Sequence, residues 1–160
     1  PDPNPTPGDL NALVEDVIDF QRDELEASGI TVDVALDPSL PEVPIDEAQF
    51  RRALLNLVRN AREATETADE RALTVRTWYE PTNTLPIGLE IRDTGCGIPP
   101  DQVARIFDPF FTTKAQGTGL GLALCRKIIR QHGGEVVVEP SSLGGARFLF
   151  RLPVQGEVTP

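Results

Sequence analysis

Two asparagines stand one helical turn apart in a segment that is predicted to be helical. Asn56 and Asn60 stack on one face of a helix that begins at Asp46, because residues four apart are neighbours on an α-helix. The small residues Ala53 and Ala64 share that face and leave room for a ligand. An asparagine oxygen can bind Mg²⁺, which prefers oxygen ligands. Two ordinary surface asparagines with poor helix propensity are the alternative, and the pair alone leaves both interpretations open.

A carboxylate follows the apolar residues of a predicted strand. Leu89, Ile91 and Asp93 alternate, so all three face the same side of the strand, towards the core. A buried carboxylate needs hydrogen-bond donors, and an adenine amino group would supply one. Gly95 and Gly97 would allow close approach of the backbone and positive φ angles. The alternative is that Asp93 only caps the turn that follows it.

A glycine run, Gly-Thr-Gly-Leu-Gly-Leu at residues 117–122, leads into another predicted helix. Free N–H groups and the helix dipole at such a terminus favour phosphate. The glycine spacing of one, three and five, with no strand before it, does not fit the dinucleotide-binding fingerprint. The glycine run is therefore compatible with a loop that binds phosphate and with a loop that is only flexible.

Three aromatic residues precede that run in the segment Phe-Asp-Pro-Phe-Phe-Thr-Thr-Lys at 107–114. They predict a hinge that docks a mobile lid, with Lys114 bringing positive charge towards bound phosphates. A loop anchored by buried phenylalanines, with a solvated lysine, is the alternative.

The composition limits the classes of function. With 160 residues and 39% apolar residues the chain predicts one soluble globular domain, and no apolar run is long enough to cross a bilayer. A net charge of −10 disfavours nucleic acid and anionic membranes, although backbone N–H groups can still hold a phosphate. The chain starts at Pro1 and contains no Met, so we expect a fragment of a longer protein. The expected location is the cytoplasm, with membrane anchoring of the parent protein left open.

The cysteine and histidine side chains are interpreted as structural rather than catalytic. Cys96 and Cys125 are too few for a zinc site or a disulfide framework, and we interpret both as small packing residues. His132, the single histidine, stands at a predicted helix end and is interpreted as structural.

Hydrophobic periodicity and turn residues place these motifs on an α+β fold. The expected architecture is a two-layer sandwich, in which helices cover one face of a mixed, mostly antiparallel sheet. A proline-rich linker (1–8) and a tail (154–160) would flank the domain at 9–153, with Asp9 capping the first helix. Helices are predicted at about 10–28, 46–67 and 122–131, with a short helix from Asp101, and strands at 30–36, 73–79, 87–93, 135–139 and 146–152.

Taken in order, the motifs resemble a known family. Residues 56–61, 93–98, 107–114 and 117–122 closely resemble the four boxes of the histidine-kinase catalytic, ATP-binding domain (HATPase_c). This is the Bergerat fold, shared with DNA gyrase, mismatch-repair ATPases and a heat-shock chaperone. The resemblance runs from about residue 9 to 152. The stretch 110–114 and its short gap to Gly117 most resemble kinases of the nitrogen-regulation and oxygen-sensing type.

The resemblance implies a role for each matching residue. Asn60 would hold Mg²⁺ with Asn56 as its partner, Arg59 and Arg62 are candidate phosphate contacts, and Asp93 would bind the adenine amino group. The other implied nucleotide contacts belong to the adenine turn, the lid and the phosphate-facing helix start: Gly95, Gly97, Ile98, Lys114, Gly117, Thr118, Gly119, Leu120 and Gly121.

The implied function is phosphoryl transfer from ATP to a histidine that this chain lacks. Asn56 stands where hydrolytic members of the superfamily carry a glutamate base, and an amide cannot accept that proton. We therefore expect binding of ATP and Mg²⁺ with poor hydrolysis. The implied partners are a histidine-bearing dimerisation domain of the same kinase and a response-regulator receiver domain. A degenerate binding module, a gyrase-type ATPase clamp and a serine kinase of the anti-sigma-factor type remain as alternatives.

Overall fold

A computed structural model of the chain describes residues 2–109, 121–140 and 144–154. Helices and strands follow in this order: β1 (Thr6–Gly8), α1 (Leu10–Ala27), β2 (Thr31–Ala35), β3 (Val43–Ile45), α2 (Glu47–Ala64), β4 (Ala72–Tyr79), β5 (Ile87–Asp93), α3 (Gly121–Gln131), β6 (Glu135–Pro140) and β7 (Ala146–Leu152).

The main sheet has five strands in the order β2-β4-β5-β7-β6. Strand β2 runs parallel to β4, and every other pair is antiparallel. The helices pack against one face, with α2 on β5 and α3 on β6. The predicted two-layer α+β architecture, with helices on one face of a mostly antiparallel sheet, is confirmed.

Aspartates define the starts of the two long helices. Asp9 Oδ1 accepts the Ala12 amide at 3.0 Å, and Asp46 Oδ1 accepts the Gln49 amide at 3.2 Å. Each contact satisfies an N–H that the first helical turn leaves free. Helix α2 then packs one apolar face against the sheet. Six of its side chains are buried there: Phe50, Ala53, Leu54, Leu57, Val58 and Ala61.

The other face of the sheet carries charge instead of helices. Glu90, on central strand β5, is fully buried there and forms ion pairs with Arg76 at 2.9 Å, with Arg92 at 3.2 Å and with Arg147. Burial by itself raises the pKa of Glu90, but the Arg147 and Arg92 guanidinium groups outweigh it, so the pKa lies below its ordinary value. This carboxylate therefore stays charged and ties three neighbouring strands together.

Two predictions of local structure are wrong. Residues 6–8 are not part of a linker, because they form β1 and pair with β3. Their register sets Pro7 opposite Pro44, and since neither proline has an N–H, this pair fits where the ladder needs no donor. The short helix from Asp101 is also absent, because residues 100–109 form successive turns closed by i→i+3 hydrogen bonds. So short a segment has little intrinsic helix stability.

Candidate functional site

The carboxylate of Asp93 is buried at the end of β5, with 1% of the residue exposed. Its Oδ1 accepts the Gly95 amide at 2.9 Å and the Ala146 amide at 3.2 Å. Both bonds end on Oδ1, so Oδ2 has no hydrogen-bond donor among the described residues. Burial raises the pKa of Asp93, and the two amides offset only part of that effect. The site thus holds one oxygen of a buried acid ready for a donor from a ligand.

The turn after Asp93 packs against the end of α2. A Cβ on Gly95 would lie 2.3 Å from the Ala64 carbonyl oxygen, so only glycine allows this approach. The Cys96 amide donates to the same oxygen at 3.3 Å. Gly97 has a φ of +71°, and Ile98 packs against the core. The predicted need for glycine therefore has two causes: close approach at Gly95 and a left-handed backbone at Gly97.

The paired asparagines of α2 are half-buried and lie beside the buried face of the helix. Asn56 Oδ1 accepts a hydrogen bond from Arg59 Nη2 at 3.0 Å. The Cβ that Gly121 lacks would lie 3.9 Å from Asn56 Cγ, so the start of α3 faces this amide. Asn60 lies one turn further along α2, towards Ala64.

A cleft of about 1120 Å³ opens between α2 and α3. Asn56, Arg59 and Gly121 line it, so the structure brings these three predicted residues together. Asn60 and Asp93 are not among the described residues that line it.

Helix α2 connects the cleft to the acid turn. Asn56 lies at the cleft, and Ala64, which contacts Gly95, lies eight residues further along the same helix. At 1.5 Å per residue this span is about 12 Å, with Asn60 midway. A nucleoside triphosphate lying along α2 would reach both ends, with its base at Asp93 and its phosphates at Asn56.

Not all predicted residues fall in this arrangement. Arg62 Nη1 forms an ion pair with Glu24 of α1 at 2.9 Å and does not line the cleft, and its phosphate contact stays a prediction. Five further predicted residues lie outside the described residues: Lys114, Gly117, Thr118, Gly119 and Leu120.

The structure adds residues that sequence reasoning missed. Gly145 packs on Asp93 from the loop before β7, and Ala146 supplies one of its two amide donors. The glycine pair at 144–145 was the available signal. Three cations of α3 also line the cleft, and the spacing of four and three residues from the first two to the third could have indicated neighbouring positions on the helix surface: Arg126, Lys127 and Arg130.

The interpretations of Phe107, His132 and the cysteines have mixed outcomes. Phe107 is buried edge-on against Phe148, as expected for an aromatic anchor. His132 is buried and bonds only within the fold, which agrees with a structural role. Cys125 is buried, and burial raises its pKa to about 12. Cys96 is exposed, so its interpretation as a packing residue is wrong.

None of the helices in the described ranges has both the length and the apolar character needed to cross a membrane. The same ranges contain no group of three or more His, Cys, Asp or Glu side chains that could hold a metal ion by themselves.

Comparison with known proteins agrees with this geometry. Residues 45–156 match the model of the family described as histidine kinase-, DNA gyrase B- and HSP90-like ATPase. The sensor protein TdiS of Thauera aromatica is 34% identical over 95% of this chain, and the sensor protein FixL of Bradyrhizobium diazoefficiens is 36% identical over 92%. The chain spans only 28% and 29% of the length of these two curated relatives.

Solved structures of histidine kinases also resemble this chain in fold. The nucleotide-free catalytic domain of the histidine kinase ThkA is 34% identical, with a TM-score of 0.81 over 96% of this chain and 98% of that one. A crystal structure of ThkA in complex with the response regulator protein TrrA has a TM-score of 0.81 at 30% identity, over 96% of this chain and 43% of that one.

Proposed function

The chain belongs to the family of histidine kinase-, DNA gyrase B- and HSP90-like ATPases, as a histidine-kinase catalytic domain, and we propose that it binds ATP with Mg²⁺ and transfers the terminal phosphate to a histidine of a partner domain. The observation that carries this proposal is the buried Asp93, whose Oδ2 accepts no hydrogen bond from the residues that the structure describes, together with α2, which connects the Asp93 turn to the Asn56 end of the cleft.

Asp93 is proposed to select adenine. Its Oδ2 accepts a hydrogen bond from the adenine amino group. Guanine presents a carbonyl oxygen at that position, which cannot donate a hydrogen bond to Oδ2. Gly95, Gly97 and Ile98 form the turn on which the base rests. Because Oδ1 is already held by two amides, the carboxylate is oriented before the nucleotide arrives.

The carboxamides are proposed to hold the phosphate end. Asn60 offers an oxygen ligand suited to Mg²⁺, and the absence of a carboxylate or histidine cluster among the described residues fits an ion that takes its other ligands from phosphate and water. The bound ion would neutralise phosphate charge. Arg59, hydrogen-bonded to Asn56, adds positive charge beside it.

Transfer needs little covalent chemistry from this chain. A nitrogen of the acceptor imidazole forms a bond to the γ-phosphorus while the bond from that phosphorus to the β–γ bridging oxygen breaks. ADP leaves with that electron pair, and the N–H proton of the imidazole passes to water. The chain's residues position the reacting groups and balance charge, which accounts for most of the catalysis in phosphoryl transfer.

Two partners are proposed. The first is the histidine-bearing dimerisation domain of the same kinase, and the second is a response-regulator receiver domain that takes the phosphate onward. The complex of ThkA with TrrA supports the second by analogy.

Radiolabelled ATP tests the proposal. The chain alone should bind ATP, hydrolyse it slowly and remain unlabelled, whereas the chain supplied with a histidine-bearing dimerisation domain should label that domain with acid-labile phosphate. Fast turnover by the chain alone would instead favour a self-contained ATPase. Acid-labile phosphate on His132 would contradict the acceptor assignment.

A further inference from the structure

Most of the cations that the structure describes away from the cleft are paired with carboxylates, whereas Arg71 bonds the Ala68 and Ser28 carbonyl oxygens. Arginines elsewhere form ion pairs, among them Arg22 with Asp19, Arg51 with Glu47 and Arg151 with Glu80. Five cationic side chains line the cleft against one lining carboxylate, Asp108, and none of the five forms an ion pair within the described part of the chain: Arg52, Arg59, Arg126, Lys127 and Arg130. Positive charge is therefore concentrated at one place on a chain of net charge −10.

Two of these cations have local roles. Arg59 is hydrogen-bonded to Asn56, at the phosphate end. Arg126 lies over the Phe107 ring, with its Cζ 5.6 Å from the ring centroid. The other three, Arg52, Lys127 and Arg130, have neither kind of contact among the described residues, and we call them the basic groove.

The basic groove lies beyond the phosphate end of the proposed nucleotide. Helices α2 and α3 run antiparallel, because Asn56 faces Gly121 at one end and the Asp46 amide bonds His132 at the other. Arg52 lies one turn from Asn56 on the side away from Ala64. Lys127 and Arg130 lie about 9 and 13 Å along α3 from Gly121. A nucleotide that spans Ala64 to Asn56 leaves all three uncovered.

This position is where an acceptor must approach. In phosphoryl transfer the attacking and leaving groups are in line across the phosphorus. ADP leaves towards Asp93, so the acceptor enters from the opposite side, past Arg52, Lys127 and Arg130.

We propose that the basic groove binds an acidic segment of the histidine-bearing partner domain and so orients the acceptor towards the terminal phosphate; this inference rests on the proposed function. A partner with exposed carboxylates is repelled by the net negative charge of this chain and attracted to the basic groove. Such complementarity provides orientation and specificity more than raw affinity.

Synthetic peptides test the groove directly. The probe is a fluorescent alanine-based helical peptide of about 20 residues with glutamates along one face, and the comparison peptide carries lysines at the same positions. Anisotropy titrations use the whole chain, saturated with Mg²⁺ and a non-hydrolysable ATP analogue so that the phosphate end is filled. The variants are Lys127→Glu with Arg130→Glu, and Arg52→Ala.

A matched control reverses the same charge elsewhere. Arg22→Glu with Arg51→Glu changes two arginines whose ion pairs lie outside the groove. Circular dichroism verifies that each variant folds, and ATP affinity is measured separately for each.

We expect the acidic peptide to bind more tightly than the basic one. Lys127→Glu with Arg130→Glu should weaken it about tenfold, while the control stays within about twofold, since exposed charge pairs contribute a few-fold each. Binding should weaken as salt is raised.

Several results would overturn the inference. Equal binding of both peptides, or equal loss in the control, would mean that only net charge matters. Displacement of the acidic peptide by the nucleotide, or a tenfold loss of ATP affinity in the α3 variant, would assign these cations to the nucleotide. A chain that bound the acidic peptide but no ATP would contradict the proposed function and support the groove.

Discussion

Gly145 lies directly against Asp93. A Cβ on Gly145 would come 2.3 Å from both the carbonyl oxygen and Oδ1 of Asp93, and the next residue, Ala146, donates its amide to that Oδ1 at 3.2 Å. The loop before β7 therefore closes over the buried acid and fixes its orientation.

Gly145→Ala should disturb this orientation. Backbone atoms of Asp93 cannot move aside easily, so we expect a loss of about 1–3 kcal/mol in the free energy of unfolding, together with weaker ATP binding. Urea unfolding and calorimetric titration measure the two effects. Gly29→Ala is the control, because Gly29 has a φ of +77° with open space around it. It should lose stability through backbone strain while keeping ATP affinity. Unchanged ATP affinity in Gly145→Ala would contradict the close contact.

Asp93→Asn should reduce the preference for ATP over GTP without lowering the free energy of unfolding. Burial raises the pKa of Asp93, so the charged form is less favourable in the folded chain than in the unfolded one. The neutral amide avoids this cost and should leave the free energy of unfolding unchanged or higher. The preference for ATP over GTP should fall by about tenfold to a hundredfold, as for the loss of a charged hydrogen bond. Competition binding with both nucleotides measures this ratio. A retained preference would refute the adenine assignment.

Asn60→Ala should remove the effect of Mg²⁺ on nucleotide binding. The variant loses the proposed oxygen ligand, so ATP affinity with Mg²⁺ should fall to the value measured in EDTA. Asn4→Ala is a suitable control, since Asn4 is exposed and bonds Asp46 through its backbone amide. An Asn60→Ala variant that still gains affinity from Mg²⁺ would exclude Asn60 as the ligand.

His132 should make stability depend on pH. Its Nε2 accepts the Asp46 amide at 2.9 Å, so Nδ1 carries the proton that bonds the Ile128 carbonyl at 2.7 Å. Burial lowers the pKa of His132 below its ordinary 6.5, against the raising effects of Ile128 and Asp46. Because the folded pKa is depressed, the unfolded chain binds more protons, and His132's stabilising contribution is complete above pH 6.5 and is lost as pH falls below it.

NMR and unfolding experiments measure this directly. His132 is the only histidine, so its imidazole resonances identify themselves, and their titration midpoint should lie below 6.5. The free energy of unfolding should fall between pH 6.5 and that midpoint by at most about 1.4 kcal/mol per pH unit. His132→Asn, which does not titrate, should lack this slope. A midpoint above 6.5 would contradict the assignment of His132 as a neutral imidazole that accepts the Asp46 amide.

Local signals predicted most of the secondary structure. Asp46 and the apolar periodicity of α2 define a helix start and a buried face, and this places Asn56 and Asn60 on the face that borders it. Strands β5 and β7 were predicted with their observed bounds, because their apolar alternation is regular. These features depend on neighbouring residues alone.

Contacts between residues far apart in the sequence could not be predicted from local sequence patterns. The partner of Arg62 is Glu24 on another helix, and no local pattern shows which way that guanidinium turns. Gly145 meets Asp93 only because β5 and β7 are adjacent in the sheet. The pairing of β1 with β3 likewise brings together proline-rich segments that each resemble loops when considered alone.

A crystal structure of the chain with Mg²⁺ and a non-hydrolysable ATP analogue tests the central claim most directly. The account predicts a nucleotide lying along α2, with the adenine amino group within hydrogen-bond distance of Asp93 Oδ2 and the phosphates between Asn60 and Gly121. A base bound away from Asp93, or phosphates held outside the cleft between α2 and α3, would contradict it.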